Sequence, residues 1–433
     1  MRSSSHVALG VHMKLTMRAC RDFLICFTIV ASVSVGQALA ADPAAPTPLL
    51  KKGEAVDWWF VFKFNTASFP GCSGGAQRKC PFGGEVQDYT SFGQQYVYAS
   101  NKDQRLQKGS DCAGDTTADP IGATFDQVYN GSSFYVIWND QFYDDPEITG
   151  CTKECGSPWG HSKGMLAWNG DGEGFVLQVT TPSWPAAGSK KSPRQTDGNT
   201  LGCVKDDNVK VSQHFFALKL RKDDLLKVLS ALSNASVVTD PTNPQIVNNG
   251  GPAEVQAAVE KLGKKSTSRV FKKETLSSGV ELISKPSRLA VPPWQMVSAV
   301  LGGVPLRTAT WWATPKIYST TDTSAIGCWD NSLGDVGPIE IATTGQWDGK
   351  VFGLTGGPGP NFNHAKIGVS MSGNERYAIF GDMNQQGTIA AGSRPCTSSQ
   401  NGRGGMFYVL KDVTLTNEVS QLITGERAPT SGP

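Results

Sequence analysis

Two short motifs combine the residue types that are needed to cleave a phosphate ester. Each reads His-x-Lys, with His161 and Lys163 in the first half of the chain and His364 and Lys366 in the second. On a strand, residues i and i+2 point to the same face, so each motif would present an imidazole beside an ammonium group. Lysine can neutralise the non-bridging oxygens of a phosphodiester, and histidine can attack phosphorus or protonate the leaving oxygen. Two copies in one cleft would supply both a nucleophile and an acid.

The sequence that follows the two motifs is also similar. In each half an apolar run and a glycine-containing turn lead to a second hydrophobic strand, at 174–179 in the first half and at 377–380 in the second. A lone His-x-Lys is a weak pattern, and partly buried structural histidines would explain it equally well. The shared context favours the functional interpretation. His214, which lies in an aromatic strand without such a lysine, is interpreted as structural.

The elements that must position these motifs are strands and helices in mixed order. Short aromatic or β-branched runs predict buried strands at 56–64, 134–138, 174–179 and 214–220. Apolar residues at helical spacing predict helices at 222–232 and 252–262. This mixture predicts an α/β (mixed α+β) fold. The faint repeat predicts two pseudo-symmetric halves, each a mixed β-sheet flanked by helices, with the cleft at their junction.

The N-terminus has the three-part pattern of an export signal. Basic residues precede an apolar run at 23–35, which ends in a small-x-small pattern at Ala40. We expect residues 1–40 to be a signal peptide that is cleaved near Ala40, so that the chain is secreted or periplasmic and has no membrane partner after cleavage. An uncleaved anchor is the alternative, but the apolar run is short for a bilayer.

The remaining chain divides by composition and by the repeat. We expect an N-terminal spacer at 41–55, an N-terminal half at 56–240 that holds the first motif, and a C-terminal half at 241–433 that holds the second. The segment 233–252 is rich in Asn, Thr and Pro and is the best candidate for a connection between the halves.

The charge balance gives no global signal for nucleic-acid binding. The whole chain has 40 basic and 38 acidic residues, and residues 1–40 hold four of the basic and one of the acidic residues, so 36 and 37 remain. Any binding of DNA must therefore come from a local basic cleft. At acidic pH the carboxylates take up protons, and the resulting positive net charge would favour a polyanion.

Cysteine usage agrees with export. Eight cysteines follow the signal segment, and an even number in an exported chain indicates disulfides. A metal site is the alternative, but no Cys-x-x-Cys pair and no zinc-finger grouping of histidine and cysteine occurs. The connectivity cannot be read from the sequence, although the pairs Cys72–Cys80 and Cys151–Cys155 would close short loops. The eight are Cys72, Cys80, Cys112, Cys151, Cys155, Cys203, Cys328 and Cys396.

Longer blocks of sequence surround the motifs and carry a resemblance to a known family. In chain order these blocks are 57–61 (DWWFV), 138–141 (WNDQ), 160–164 (GHSKG), 174–177 (GFVL), 181–185 (TPSWP), 198–204 (GNTLGCV), 363–366 (NHAK), 380–385 (FGDMNQ) and 402–405 (GRGG). Their types and order, over roughly residues 56–410, resemble the deoxyribonuclease II family, whose fold is that of the phospholipase D superfamily.

The resemblance implies a hydrolase that cuts double-stranded DNA without a divalent metal or other cofactor. It implies an acidic pH optimum, 3′-phosphate products and a phosphohistidine intermediate. His161 and His364 would be nucleophile and general acid, in an order that stays open. Because one imidazole must be neutral and the other protonated, the activity would depend on pH through their coupled pKa values.

The same resemblance assigns the remaining site positions. Lys163 and Lys366 would grip the phosphate, and Asn384 would lie where the superfamily places a polar residue against it. Asp382, in the same block, joins Asn384 as a substrate-binding candidate. No metal ligand is expected, and whether the chain forms a homodimer stays open.

The sequence departs from the wider superfamily in two respects. Neither lysine is followed at close spacing by the acidic residue that phospholipases carry, and Ile367 follows the second motif where the family often has Trp. The sequence disfavours two other functions. A phosphodiesterase for another substrate, such as a phospholipid, is disfavoured by the missing acidic positions. A catalytically inactive secreted DNA-binding protein would not need both motifs intact.

Overall fold

The computed structural model describes most of the chain after residue 43. The described residues are 44–71, 95–110, 112–114, 116–148, 151, 154–182, 184–185, 188–193, 210–371, 375–390, 392 and 394–430. The predicted signal peptide at 1–40, the block at 198–204 and the cysteines Cys72, Cys80 and Cys203 lie outside these residues.

The described residues form strands and helices in alternating groups. The strands are β1 (Leu49–Lys51), β2 (Glu54–Ala55), β3 (Trp58–Lys63), β4 (Tyr96–Ser100), β5 (Gln107–Lys108), β6 (Phe134–Asn139), β7 (Lys163–Trp168), β8 (Gly174–Val179), β9 (Gln213–Leu220), β10 (Val247–Asn248), β11 (Lys272–Thr275), β12 (Glu281–Lys285), β13 (Leu306–Ala309), β14 (Ile339–Ile341), β15 (Thr344–Trp347), β16 (Lys350–Gly353), β17 (Ile367–Ser370), β18 (Tyr377–Gly381) and β19 (Gly405–Lys411). The α-helices are α1 (Pro120–Tyr129), α2 (Lys222–Ala235), α3 (Ala253–Val259), α4 (Pro293–Val300) and α5 (Val413–Leu422).

Helix boundaries follow from capping residues in the sequence. The Asp119 carboxylate accepts hydrogen bonds from the backbone N–H groups of Ile121 and Gly122, and proline occupies the first turn of α1. Asp412 caps α5 in the same way through the Leu415 N–H. Helix α2 ends at Ser236, which adopts the left-handed conformation. The Asp119 and Asp412 side chains satisfy N–H groups that the helix itself leaves unpaired, and the Ser236 backbone N–H donates to carbonyls of the last turn of α2.

The first sheet contains all four of the strands that the hydrophobic runs predicted. Its order is β10-β6-β7-β8-β9-β3-β4-β5, and every neighbouring pair is antiparallel. Strands β7 and β8 are buried along their whole length. Because both faces of these strands are covered, most of their residues are apolar and do not alternate with polar ones, the exceptions being Lys163 and Gln178.

The second sheet repeats the central arrangement of the first. Its order is β11-β12-β19-β18-β17-β13-β14, with one parallel pair, β13 and β14, and otherwise antiparallel pairs. The run β13-β17-β18-β19-β12 corresponds to β6-β7-β8-β9-β3. In chain order a helix follows β9 and its counterpart β19, namely α2 after β9 and α5 after β19. The predicted mixed α/β architecture with two similar sheets is thereby confirmed.

The two sheets pack face to face, and helices cover their outer faces. On the inner faces Phe216 of β9 contacts Tyr408 of β19, with ring centroids 5.4 Å apart. The neighbouring residues point outward, as the two-residue period of a strand requires. Phe407 contacts Trp294 of α4 on the outer face of the second sheet. The outer face of the first sheet is covered by α1 through aromatic contacts. Helices α1 and α4 therefore lie on the outer faces, whereas α2 packs against strands of both sheets, β8 and β9 of the first and β12 and β19 of the second.

Both sheets lie in one compact unit, Asp42–Pro433. The predicted spacer contains the hairpin β1-β2, and β10 adds residues 247–248 to the first sheet. The boundaries of the two halves stay a prediction. Disulfides join Cys151 to Cys155, as the short loop suggested, and Cys328 to Cys396. Within the described residues, no helix has the length and apolar character needed to span a membrane.

Candidate active site

The histidines of the two His-x-Lys motifs meet at one cleft, whereas Lys163 and Lys366 are buried and are not among its lining residues. His161 and His364 both line this cleft, which has a volume of about 300 Å³. Of the predicted substrate-binding residues, Asn384 lies in the lining. The lining residues are Asp140, Gln141, Tyr143, Glu154, His161, Trp311, Pro358, His364, Asn384, Gln386, Gln400 and Arg403. Motifs that are remote in sequence therefore share one site.

Each motif lies at the start of a central strand and is held by the opposite half of the chain. The His161 backbone N–H donates to the Gly404 carbonyl at 2.8 Å, and the His364 N–H donates to the Ser212 carbonyl at 2.7 Å. Strand β7 begins at Lys163, and strand β17 begins directly after Lys366. The backbone hydrogen bonds between the halves therefore fix the relative position of the two histidines.

The imidazole rings are held in the same reciprocal way. His161 Nδ1 lies 2.7 Å from the backbone carbonyl oxygen of Asp382, and His364 Nδ1 lies 2.6 Å from that of Thr180. A carbonyl oxygen only accepts hydrogen bonds, so each Nδ1 carries the hydrogen. Nε2 is then the nitrogen of each neutral ring that can act as a base or nucleophile.

Lys163 belongs to a buried ionic cluster. Its Nζ donates to Asp140 Oδ1 at 2.5 Å, and Arg403 Nη2 donates to Asp140 Oδ2 at 2.8 Å. Burial lowers the pKa of Lys163, and Asp140 opposes that effect. Burial alone would raise the pKa of Asp140, but the charges of Lys163, His161 and Arg403 hold it well below its usual range. Lys163 therefore has a buried carboxylate as ion-pair partner, which it shares with Arg403.

Arg403, in the C-terminal half, also forms hydrogen bonds with the segment before His161 in the N-terminal half. Its guanidinium donates to the carbonyl oxygens of Trp159, Cys155 and Gly160, all in the segment that leads into the first motif. A planar group with several fixed donors suits this multiple role, which a lysine would not fill. Arg403 therefore sets the position of the segment that carries His161.

Lys366 has a different environment. Its Nζ donates to the backbone carbonyl of His364 at 2.6 Å and lies 3.1 Å from His364 Nδ1. Because that Nδ1 already donates to Thr180, the second approach is a close contact rather than a hydrogen bond. No carboxylate among the described residues forms an ion pair with Lys366. Burial, followed by the charge of Lys163, lowers the pKa of Lys366 well below its usual value.

Both catalytic candidates have depressed pKa values. Burial lowers the pKa of His161 well below its ordinary value, while Asp140 acts in the opposite direction. Burial likewise lowers the pKa of His364, and the charges of Lys366, Lys163 and His161 add to the effect. A phosphate anion in the cleft would favour the charged forms of both rings.

The structure separates the two predicted substrate-binding residues. Asn384 lies in the cleft lining, where its Nδ2 donates to Gln386 Oε1 at 2.8 Å. Asp382 is buried behind His161 and is not among the described lining residues. Its carboxylate accepts from Gln178 Nε2 and from the Met406 N–H, each at 3.0 Å. Burial raises the pKa of Asp382 to about 7, against these hydrogen bonds.

Several site residues had no assigned role before the structure. Asp140 and Arg403 lie in the recognised blocks 138–141 and 402–405, which was the available signal, but their pairing with Lys163 is a tertiary contact. Trp311 carried no motif, and its ring meets the His364 ring edge to face with centroids 4.8 Å apart. Among the described residues, no group of three or more His, Cys, Asp or Glu side chains is arranged to hold a metal ion.

Comparison with known proteins gives one match. The sequence model of the family described as Deoxyribonuclease II matches residues 47–425, which is nearly the whole chain. No curated protein matches the chain significantly.

Proposed function

Because the chain belongs to the deoxyribonuclease II family and is therefore a hydrolase that acts on DNA, we propose that it is an exported acid endonuclease that needs no divalent metal. The observation that carries this proposal is the pair of imidazoles at one cleft. Each has its Nδ1 bound to a carbonyl of the opposite half, which leaves Nε2 as the reactive nitrogen.

The proposed reaction proceeds in two displacements. In the first, Nε2 of one histidine attacks phosphorus, an N–P bond forms, and the P–O5′ bond breaks while the other imidazolium protonates the leaving 5′ oxygen. In the second, that imidazole accepts a proton from water, the water oxygen attacks phosphorus, and the N–P bond breaks. The products are a 5′-hydroxyl and a 3′-phosphate. His161 and His364 fill these two roles in an order that the proposal leaves open.

The lysines support this chemistry by electrostatics. Lys366 contributes a buried positive charge without an ion-pair partner among the described residues, so an arriving phosphate would be its counter-ion. Lys163 is already paired with Asp140, and its contribution to phosphate binding is expected to be smaller. Asn384 supplies a neutral polar contact in the cleft lining.

The acid optimum follows from the depressed pKa values. One imidazole must be protonated to act as the acid, and burial lowers the pKa of both rings. The required proton therefore binds only as the pH falls, and activity declines again when the nucleophile is also protonated. Acid also favours the charged form of Lys366, whose pKa is lowered by burial.

Export is proposed on two grounds. Residues 1–40 have the basic, apolar and small-x-small pattern of a cleaved signal. The disulfides Cys151–Cys155 and Cys328–Cys396 suit an oxidising compartment.

The proposal is tested with purified residues 41–433 and supercoiled plasmid in excess EDTA, from pH 4 to pH 8. Wild-type protein should nick and linearise the plasmid most rapidly at acidic pH, and His161→Ala and His364→Ala should each lose activity by at least roughly 10³-fold. End-labelled products should carry 3′-phosphates. A folded wild-type protein that cuts only after Mg²⁺ is added would refute the metal-independent mechanism.

A further inference from the structure

A buried chain of hydrogen bonds connects the two motifs behind the cleft. It runs from Lys366 through His214 of β9, Gln178 of β8 and Asp382 to His161. The Lys366 N–H donates to His214 Nδ1 at 3.1 Å, His214 Nε2 lies 3.4 Å from Gln178 Oε1, and Gln178 Nε2 donates to Asp382 Oδ1 at 3.0 Å. The chain ends where the Asp382 carbonyl accepts from His161 Nδ1.

The Lys366 N–H fixes the direction of the hydrogen bonds from Lys366 to Asp382. The backbone N–H of Lys366 only donates, so His214 Nδ1 must be the unprotonated nitrogen. His214 Nε2 then carries the hydrogen and donates to Gln178 Oε1, which turns the amide nitrogen toward Asp382. Burial, followed by the charge of Lys366, lowers the pKa of His214 well below its usual value, which favours this neutral tautomer.

The middle residues of the chain are isolated from solvent. His214 and Gln178 are fully buried, and Asp382 is 2 % exposed. In the described part of the chain, His214 and Gln178 are not among the cleft-lining residues, and their side chains form hydrogen bonds with each other, with the Lys366 N–H and with the Asp382 carboxylate. A histidine and a glutamine placed between two aromatic sheet faces would ordinarily cost stability relative to apolar residues, unless their hydrogen bonds are completed.

We propose that His214 and Gln178 are positioning residues that hold His161 and His364 in register for the reaction. His214 anchors the backbone of Lys366, and so the second motif. Gln178 anchors Asp382, whose carbonyl orients the His161 ring. Catalysis by two groups on one phosphorus requires both to be placed within a fraction of an ångström, and a displacement of about 1 Å costs roughly 10²-fold in rate. This inference rests on the proposed function, because it takes both histidines as catalytic.

Different substitutions remove different hydrogen bonds of this chain. In His214→Asn the amide oxygen lies near the former Nδ1 and still accepts from Lys366, but the side chain no longer reaches Gln178. In His214→Gln the amide nitrogen reaches Gln178, but the acceptor for Lys366 is lost. Gln178→Met keeps the volume and removes both hydrogen bonds of the Gln178 side chain, to His214 and to Asp382, while it leaves the His214–Lys366 hydrogen bond in place. Thr239→Val is the matched control, since it removes one buried hydrogen bond, to the Ile137 carbonyl at 2.6 Å, away from the chain.

The experiment compares kcat and KM of these variants on plasmid DNA at the optimum pH of the wild type, after urea unfolding has established that each is folded. The chain variants should lose roughly 10- to 100-fold in kcat with KM nearly unchanged. The double variant His214→Asn/Gln178→Met should lose little more than the worse single variant, since both act through one chain. Thr239→Val should keep wild-type kcat.

The outcomes separate this inference from the proposed function. Folded chain variants with wild-type kcat, or with losses equal to that of Thr239→Val, would overturn the positioning role while the nuclease mechanism stands. A wild-type protein that is inactive in EDTA overturns both. If His214→Asn does not fold, Gln178→Met decides the question, because it leaves the His214–Lys366 hydrogen bond intact.

Discussion

The two His-x-Lys motifs are nearly the same in sequence and backbone position but differ in their electrostatic surroundings. Each histidine is bound through Nδ1 to a carbonyl of the opposite half. Lys163, however, is paired with Asp140, which Arg403 also contacts, whereas Lys366 donates to the carbonyl of its own His364 and has no ion-pair partner in the part of the chain that the structure describes. A duplicated motif has therefore kept its geometry while its two lysines acquired different charge environments.

This difference suggests a division of labour. A lysine that is neutralised by a buried carboxylate mainly holds the structure, since its charge is already compensated. A buried lysine without a partner retains an uncompensated charge that an anionic substrate can satisfy. Four predictions follow the contrast from its strongest expected effect to its weakest.

The stabilities of the two lysine variants should differ most. Lys163→Met leaves the buried Asp140 carboxylate with Arg403 alone and should lower the free energy of unfolding by about 3–5 kcal/mol. Lys366→Met removes a buried cation without an ion-pair partner and should leave stability unchanged or raised. Urea unfolding at pH 7 measures both. Adding Asp140→Asn to Lys163→Met should restore part of the loss, and equal losses in the two single variants would contradict the contrast.

In nuclease activity, unlike in stability, the Lys366 variant should show a large loss. Lys366→Met removes the buried charge that we propose attracts the incoming phosphate, and kcat/KM should fall roughly 10²–10³-fold at acidic pH while the protein stays folded. The measurement is initial nicking rate on supercoiled plasmid in EDTA. A fall of less than tenfold would show that Lys366 is dispensable for binding the phosphate, and attention would move to Asn384.

The contributions of the Asp382 and Asp140 carboxyl groups to the free energy of unfolding should depend on pH in opposite directions. The folded pKa of Asp382 is raised to about 7, above its unfolded value, so its contribution to stability grows as the pH falls from 7 toward 4. The folded pKa of Asp140 is depressed, so its contribution is lost only as the pH falls below the unfolded value. Asp382→Asn should remove about 2–4 kcal/mol of the difference in unfolding free energy between pH 7 and pH 4. An unchanged pH profile of unfolding would disprove the assignment.

The smallest effect concerns Trp311, which contacts the second histidine. Trp311→Ala should admit water to the His364 ring and raise its pKa, because burial is the main cause of the depression. The limb of the kcat/KM profile that His364 governs, the acid limb if it is the nucleophile and the alkaline limb if it is the general acid, should then move to higher pH by roughly half to one unit, corresponding to about 0.5–1.5 kcal/mol. Trp311→Phe is the control and should stay near the wild type. An identical shift in both variants would point to a cause other than hydration.

Much of the fold was predictable because the central strands are buried on both faces. The runs at 134–138 and 214–220 are continuous, and they became β6 and β9. Strand β11 reads Lys-Lys-Glu-Thr and gave no signal, because it is a partly exposed edge strand. Helix α4 was missed because seven of its eight residues are buried, so it has no polar face to reveal the period.

The site was predictable only as far as local spacing reaches. Four residues followed from the two motifs and their repeat, and Asn384 followed from its block. The partners Asp140 and Arg403 lie in recognised blocks but acquire meaning only when residue 403 is placed against residue 140. The same holds for His214, whose neighbours in sequence are aromatic and whose hydrogen-bond partners come from β8 and from the second motif.

The reciprocal anchoring of the motifs has a consequence for biosynthesis. His161 depends on Asp382 for its ring and on Gly404 for its backbone, while the segment before it depends on Arg403. A ribosome delivers the chain from its N-terminus, so His161 emerges long before these supports exist. The first motif therefore reaches the arrangement described above only after residue 404 has been synthesised and folded, and a chain that ends before residue 404 lacks the backbone support of His161.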